Sequence, residues 1–299
     1  MADSPLVWTG GKRTLGPWII SKMPYHKKYV EVFFGAGHIF LQKPPAEINV
    51  VNDLNGALVS MWKTIRNEQK LRDLEMLFEY CVYSRELWEY FVSLYKDLKL
   101  WTNYSDFERA FMFIYINRCS FNGQMNGYSR TDSPRNLYEA RGTLKAIFNH
   151  FQKAKVVFEN LSFLDLLTRG EQDVPIYDDD DTFIYADPPY AVTLEAVGKK
   201  YYECLMSEFE HERLSRILFS HRRAKWMLSY DDHPLVRKWY SLEETKPGIF
   251  KSTKRENVEA ILTPSTFQSA MAGKSEEALY RQELLISNYP LENANTLFS

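Results

Sequence analysis

The chain has 299 residues, of which 45% are hydrophobic, 15% aromatic and 25% charged, ample apolar material for a core and too much for a disordered chain. No apolar run nears the roughly 18 residues needed to cross a bilayer, and the start, MADSPLVWTGGKR, has no hydrophobic signal segment, which predicts a cytoplasmic protein with no membrane partner. The net charge of -2 hides an asymmetry: residues 59–155 carry 15 basic and 11 acidic side chains, whereas residues 156–299 carry 16 and 24.

In chain order, residues 29–34 are rich in β-branched and aromatic side chains and run into Gly35-Ala36-Gly37 and the apolar Ile39-Phe40-Leu41, which predicts strand, tight turn and helix. A second strand over 47–51 ends at Asn52-Asp53 and is followed by helical spacing from Leu54, so two βα units open the fold. From Leu58 to Tyr115 apolar residues recur at three- and four-residue steps, and this stretch reads as mostly helical. It leads through residues 111–116 into Asn117-Arg-Cys-Ser-Phe-Asn-Gly123 and a polar segment with Gly127, Ser129, Ser133 and Pro134, which has the turn chemistry of an exposed loop. Within residues 116–155, Arg118, Arg130, Arg135, Arg141, Lys145, Lys153 and Lys155 face only Asp132 and Glu139, a balance suited to phosphate or to a plain solvated face.

Strands are predicted again at 155–158, 182–186 and 225–229, with helices around 144–151 and 207–220 between them. That alternation implies a parallel sheet covered on both faces and interrupted by a helical insertion. The acidic run 178–181 reads as a solubilising loop before a strand, and residues 268–281 as an exposed connection or a short surface helix. Residues 283–289 and 257–262 compete for the last strand, and the pattern does not choose between them. The cysteines, Cys81, Cys119 and Cys204, have no C-x-x-C spacing, which argues against a zinc site and a disulfide framework, so no metal is expected.

Asp187-Pro188-Pro189-Tyr190 directly follows the apolar run 183–186. Two prolines end the strand and withhold further ladder donors, which holds Asp187 and Tyr190 at the carboxyl edge of the sheet, where open α/β sheets bind ligands. An exocyclic amine on a base is a poor nucleophile because its lone pair is delocalised into the ring. A carboxylate and a neighbouring carbonyl that accept its two hydrogens favour a pyramidal nitrogen, and an aromatic face can hold the base by stacking. The Phe34-Gly35-Ala36-Gly37 turn lacks both the P-loop lysine and the third glycine of the dinucleotide fingerprint, but with the carboxylate of Asp53 after the second strand it indicates a nucleoside-bearing cofactor. Trp8-Thr-Gly-Gly11-Lys12, taken alone, is a flexible turn with a covering Trp.

Trp-x-Gly-Gly-Lys at 8–12, Glu31-x-Phe-x-Gly-x-Gly37, Asn-Asp at 52–53 and Asp-Pro-Pro-Tyr at 187–190, in that order, resemble the Dam-type, or alpha, group of DNA adenine methyltransferases. The resemblance covers nearly the whole chain. It implies an α/β, Rossmann-like sheet of seven strands with an antiparallel final strand, and S-adenosylmethionine as cofactor. Residues 1–58 and 156–299 would form the catalytic domain, and residues 59–155 a mainly helical target-recognition insertion. Trp8, Gly11, Lys12, Phe34, Gly35, Ala36, Gly37, Asp53, Asp165 and Asp187 would line the cofactor site, with Lys12 on a carboxylate and Trp8 on the adenosine. Asp187, Pro188, Pro189 and Tyr190 would hold the adenine amine of a base flipped out of double-stranded DNA. Residues 228–231, Leu-Ser-Tyr-Asp, resemble the strand beside the target pocket. Arg118, Asn122, Arg130 and Arg135 would contact DNA. The Gly-x-Phe-Asn-Val-Pro-Phe-Gly stretch of GATC-specific members is absent, so that specificity is not carried over. A bacterial or phage-infected cell is the implied setting, and a cognate restriction endonuclease a candidate partner. Competing readings are methyl transfer to RNA or a protein amide, and a DNA-binding regulator on a relict cofactor fold; intact Asp187, Tyr190, Lys12 and Asp53 count against the regulator.

Overall fold

The computed structural model describes residues 2–8, 10–129, 133–191, 206–255, 257–263, 267–268, 280–281 and 283–291. Two-residue strands aside, the strands are β1 (Lys28–Glu31), β2 (Ile48–Asn52), β3 (Lys155–Glu159), β4 (Thr182–Ala186), β5 (Lys225–Asp231), β6 (Leu242–Lys246), β7 (Ile249–Ser252), β8 (Glu259–Leu262) and β9 (Glu283–Ser287). The larger helices are α1 (Gly56–Arg66), α2 (Glu68–Tyr80), α3 (Arg85–Lys96), α4 (Asp106–Arg118), α5 (Ser133–Phe151), α6 (Glu208–Ser220) and α7 (Pro234–Tyr240). None of the described helices is long and apolar enough to cross a membrane. The chain divides into two compact units: Met1–Pro17 with Phe34–Asn160, and Trp18–Phe33 with Leu161–Ser299.

The first unit is a parallel pair, β2 and β3, with a helical assembly built on α4. Residues 112–118 of α4 are buried without a break, so the second half of this helix has no solvent face and acts as the core that α1, α3 and α5 cover. Leu58, Met61, Trp62 and Ile65 on α1 meet Phe113 and Phe151 in an interior where each is 1% exposed or less. The helix ends are closed locally: Asn55 accepts the Ala57 and Leu58 N–H groups, and Ser105 and Glu108 form a reciprocal capping box at α4. Helix α5 starts at Ser133, eleven residues before the predicted 144, so the polar segment stops short of Ser133 and Pro134. The Ser-Pro pair that reads as turn chemistry is also what a helix N-terminus favours, since proline's missing N–H is not needed in the first turn.

In the second unit the strand order is β1-β4-β5-β9-β8-β7-β6. Strands β1, β4 and β5 are parallel, and β9 is antiparallel to both β5 and β8. Both candidates for the last strand are therefore used. The last strand in sequence is inserted between β5 and β8, and Leu284 to Ser287 are almost wholly buried there. The described residues hold two strands more than the resemblance implies, and the addition is the β6–β7 hairpin at the outer edge. The connection expected over 268–281 begins and ends instead in an antiparallel pair, 267–268 with 280–281, and its middle lies outside the described residues.

The acidic run 178–181 is a clasp rather than a free surface loop. Asp178 Oδ1 accepts the Arg223 and Ala224 N–H groups at 2.8 and 2.9 Å, ahead of β5. Asp179 bonds Lys28 Nζ at 2.8 Å, the Asp181 carbonyl accepts the Lys27 and Lys28 N–H groups, and Asp180 pairs with Arg223. One loop thus ties together the starts of β1, β4 and β5. Burial raises the Asp178 pKa, but the backbone amides of Ala224, Arg223 and Arg222 outweigh it and hold the group below its ordinary value. Asp178→Ala, which leaves the Ala224 amide without its acceptor, lowers stability by about 1–2 kcal/mol in urea unfolding. Asp180→Ala removes only a solvent-exposed pair and leaves the urea midpoint within error; equal effects of the two substitutions would contradict the clasp.

Candidate active site

In the first unit the chain leaves its buried Phe34 with an N–H···O bond to the Asn52 carbonyl at 2.7 Å and turns at once. Gly35 and Gly37 have φ of +48° and +68°, the left-handed region that glycine adopts without a Cβ penalty. Trp8 lies against this turn: a Cβ on Gly35 would sit 3.1 Å from the indole Nε1. Asp53 Oδ2 accepts the Gly35 N–H and Oδ1 accepts the Asn55 N–H, each at 2.8 Å. The carboxylate therefore locks the glycine turn to the start of α1. Asn160, which the sequence reading did not single out, donates to the Asp53 and Leu54 carbonyls at 2.8 and 3.0 Å and braces the same corner.

Lys12 is 4% exposed and its Nζ donates to the Gly10 carbonyl at 3.0 Å. Beneath it, a Cβ on Gly11 would lie 2.6 Å from His38 Cδ2, so the glycine is fixed by a buried imidazole that follows the Gly35-Ala36-Gly37 turn. Burial lowers the His38 pKa to about 4; Asp3 acts against that, and Arg13 and Lys12 add to it. His38 is the residue that sequence reasoning missed here, because nothing local marks which histidine an N-terminal glycine will touch.

In the second unit β4 is buried at every residue and runs straight into Asp187, which is half-buried, as are Pro189 and Tyr190, while Pro188 is buried. The Ala191 N–H donates to Asp231 Oδ1 at 3.0 Å, so the last residue of β5 fixes the exit of the Asp-Pro-Pro-Tyr segment. Tyr190 has its ring 6.3 Å from that of Tyr230. The Tyr230 hydroxyl is hydrogen-bonded to His211 Nδ1, and His211 stacks on Trp239 at 5.2 Å, so Tyr190 is backed by a packed aromatic group. Burial lowers His211 to about 4 and keeps it neutral at pH 7.

The carboxyl ends of β1, β4 and β5 and the start of β9 bring Glu31, Asp187, Asp231 and Glu283 to one rim. Tyr29 donates to Glu31 at 2.8 Å, and Tyr185 exchanges a 2.8 Å bond with Ser229. The Tyr185 pKa is pushed well above its ordinary value by burial first, then by the charges of Asp187, Glu31 and Glu283. Such a rim can accept hydrogens from an amine and favours a positively charged ligand. Asp165 lies in the second unit, on a short helix over Phe163–Leu167, exposed and bonded to Ser162 Oγ at 2.7 Å.

Arg118 ends α4 and is 8% exposed; burial lowers its pKa, against the pull of Glu139 and Asp3. Asn122 is exposed, with φ +50°, in a short turn over Phe121–Gly123. The turn belongs to a small loop closed by Phe121 N–H to Gly127 O at 2.8 Å and Ser129 N–H to Cys119 O at 2.7 Å. Arg130 and the side chain of Arg135 lie outside the described residues.

Residues 8–260 match a family described as D12 class N6 adenine-specific DNA methyltransferase. A DNA adenine methylase of Salmonella typhi is 29% identical over 251 residues, which cover 79% of this chain and 84% of the relative. A Type II methyltransferase, M1.LlaDCHI, of Lactococcus lactis subsp. cremoris is 26% identical over 271 residues, 85% of this chain and 92% of the relative. Among solved structures, the rRNA methyltransferase aviRa from Streptomyces viridochromogenes aligns over 92% of this chain and 82% of its own with a TM-score of 0.35 and 10% identity.

Gly11→Ala drives a methyl into the His38 ring and lowers stability by about 1–3 kcal/mol, and His38→Ala in the same chain relieves most of that loss. Additive losses in the double-variant cycle would show that the two residues are not in contact. Because His38, His150 and His211 have pKa values of about 4 against an ordinary 6.5, the unfolded chain binds more protons between those limits. Stability is therefore full above pH 6.5 and falls as the pH drops toward 4, and the fall is shallower for His38→Ala in urea midpoints measured across that window.

Proposed function

The chain belongs to the D12 class of N6 adenine-specific DNA methyltransferases, and from that membership we propose that it moves a methyl group from S-adenosylmethionine to the N6 amine of an adenine flipped out of duplex DNA at a specific site. Its fold is the α/β, Rossmann-like methyltransferase fold. The observation that carries it is the Asp187–Tyr190 segment at the end of a buried strand, with its exit fixed by Asp231 and its rim lined by carboxylates.

The residues fit the proposed donor. The glycine turn lets a ligand approach the backbone beside Trp8, the carboxylate of Asp53 suits ribose hydroxyls, and Lys12 suits a carboxylate. S-adenosylmethionine supplies an electrophilic methyl on a positively charged sulfur. Asp187 Oδ and the Pro188 carbonyl accept the two hydrogens of N6, which turns the nitrogen lone pair out of conjugation and toward the methyl carbon. Tyr190 stacks on the base, with the aromatic group behind it keeping the ring in place. Once alkylated, the nitrogen would be acidic, so Asp187 need not be a strong base to take part.

Residues 59–155 are assigned to target recognition, supported by their excess of basic side chains. Asn122 and, beyond it, Arg130 and Arg135 are the residues assigned to DNA, with Arg118 supporting them from the end of α4. The reaction is placed in the cytoplasm of a bacterium or a phage-infected cell. A restriction endonuclease acting on the same sequence is a partner to look for, since one relative is a Type II methyltransferase.

Transfer of labelled methyl from S-adenosylmethionine to unmethylated duplex, read out as N6-methyladenine, tests the assignment. Asp187→Ala lowers the rate by about 100-fold or more while the folded protein keeps its melting temperature, and Tyr190→Ala loses base stacking worth about 1–3 kcal/mol. Retained activity in Asp187→Ala overturns the role of that carboxylate, and methyl transfer to RNA but not to duplex DNA overturns the substrate.

A further inference from the structure

Asn117 lies in the last turn of α4 and has no exposed surface, yet its carboxamide serves neither that helix nor the core around it. Oδ1 accepts the Val7 N–H at 2.9 Å, and Nδ2 donates to the Val7 carbonyl at 2.9 Å and to the Gly123 carbonyl at 3.1 Å. One side chain thus holds both backbone groups of a residue 110 positions away and one end of the 121–123 turn.

Both segments continue into residues of interest. Val7 directly precedes Trp8, which packs on the Gly35 turn. On the other side Gly123, with φ +69°, is so close to Val7 that a Cβ would lie 2.3 Å from the Val7 carbonyl oxygen. The turn presents Phe121, 64% exposed, and Asn122 to solvent. A shift of Trp8 therefore moves Val7, and a shift of Val7 acts on the 121–123 turn through a buried carboxamide and a backbone contact with no slack.

We propose that Asn117 is a positioning residue that couples donor binding at Trp8 to nucleic-acid binding at the 121–123 turn. The inference rests on the reading above, in which Trp8 borders the donor and the 121–123 turn meets DNA. Binding at either end orders the shared strut, so the second ligand meets a turn already held in place. By linkage the effect is reciprocal: the donor side tightens DNA binding by the factor by which DNA tightens the donor side. Asn117 contacts neither ligand in this scheme.

The test is calorimetric titration of the full chain with S-adenosylhomocysteine, alone and with a saturating long PCR-amplified, unmethylated duplex. In the unaltered protein the duplex tightens S-adenosylhomocysteine binding by about fivefold or more, and in Asn117→Asp, whose side chain cannot donate to the two carbonyls, and in Gly123→Ala the gain falls to about twofold or less. Variants that keep the full gain, or an unaltered protein that binds both ligands with no mutual tightening, overturn the coupling and leave the reading of function standing. An unaltered protein that binds neither ligand overturns that reading, and the coupling with it. If neither variant folds, hydrogen exchange on the unaltered protein decides. S-adenosylhomocysteine slows exchange at the Phe121 and Ser129 amides that close the loop, and unchanged exchange there overturns the proposal.

Discussion

A carboxylate that accepts backbone N–H groups where the chain enters or leaves a strand recurs at three places, and these corners shape both units. Asp53 takes the Gly35 and Asn55 amides, Asp178 takes those of Arg223 and Ala224, and Asp231 takes that of Ala191. At a strand end the backbone donors lose their ladder partners, and leaving one unsatisfied in a partly buried corner costs free energy of the order of a lost hydrogen bond. A charged acceptor answers that need with a bond stronger than a neutral one. It also fixes the direction in which the next residues leave.

Placing carboxylates at strand ends has a chemical consequence. In the first unit it puts Asp53 beside the glycine turn, one oxygen on the Gly35 amide and the other on that of Asn55. In the second unit the same preference gathers Glu31, Asp187, Asp231 and Glu283 at one rim, and burial first, then the charges of Glu31 and Asp187, keep the hydroxyls of Tyr29 and Tyr185 from ionising. The tyrosines stay neutral hydrogen-bonding groups, and the negative charge stays on the carboxylates, where a cationic ligand can use it.

The buried histidines show the opposite solution. His38 and His211 are desolvated until they are neutral at physiological pH, and each serves as a flat, rigid packing surface, His38 beneath Gly11 and His211 between Tyr230 and Trp239. Their contribution is shape with one directed hydrogen bond at His211, and the cost is a fold that weakens as acid recharges them.

Sequence alone determined the elements and the order of the chemistry. Apolar periodicity located the strands at 155–158 and 182–186, the helical stretch of the first unit and the helix around 207–220. Two prolines after an apolar run placed Asp187 and Tyr190 at a strand end, and the ordered motifs indicated the family. These signals are short-range: sterics, capping and periodicity act within a few residues and are written in them. What only the tertiary structure decided is which distant groups meet. The acidic run became a clasp because Arg223 and Ala224, 45 and 46 residues on, present their amides to Asp178, and the last strand slipped between β5 and β8. Asp231 found the Ala191 amide 40 residues away, and Asn117 found Val7 across 110. A polar side chain in sequence advertises its capacity to hydrogen-bond but not its partner, because the partner is set by how the whole chain closes, and that closure is governed by burial of apolar surface summed over many residues.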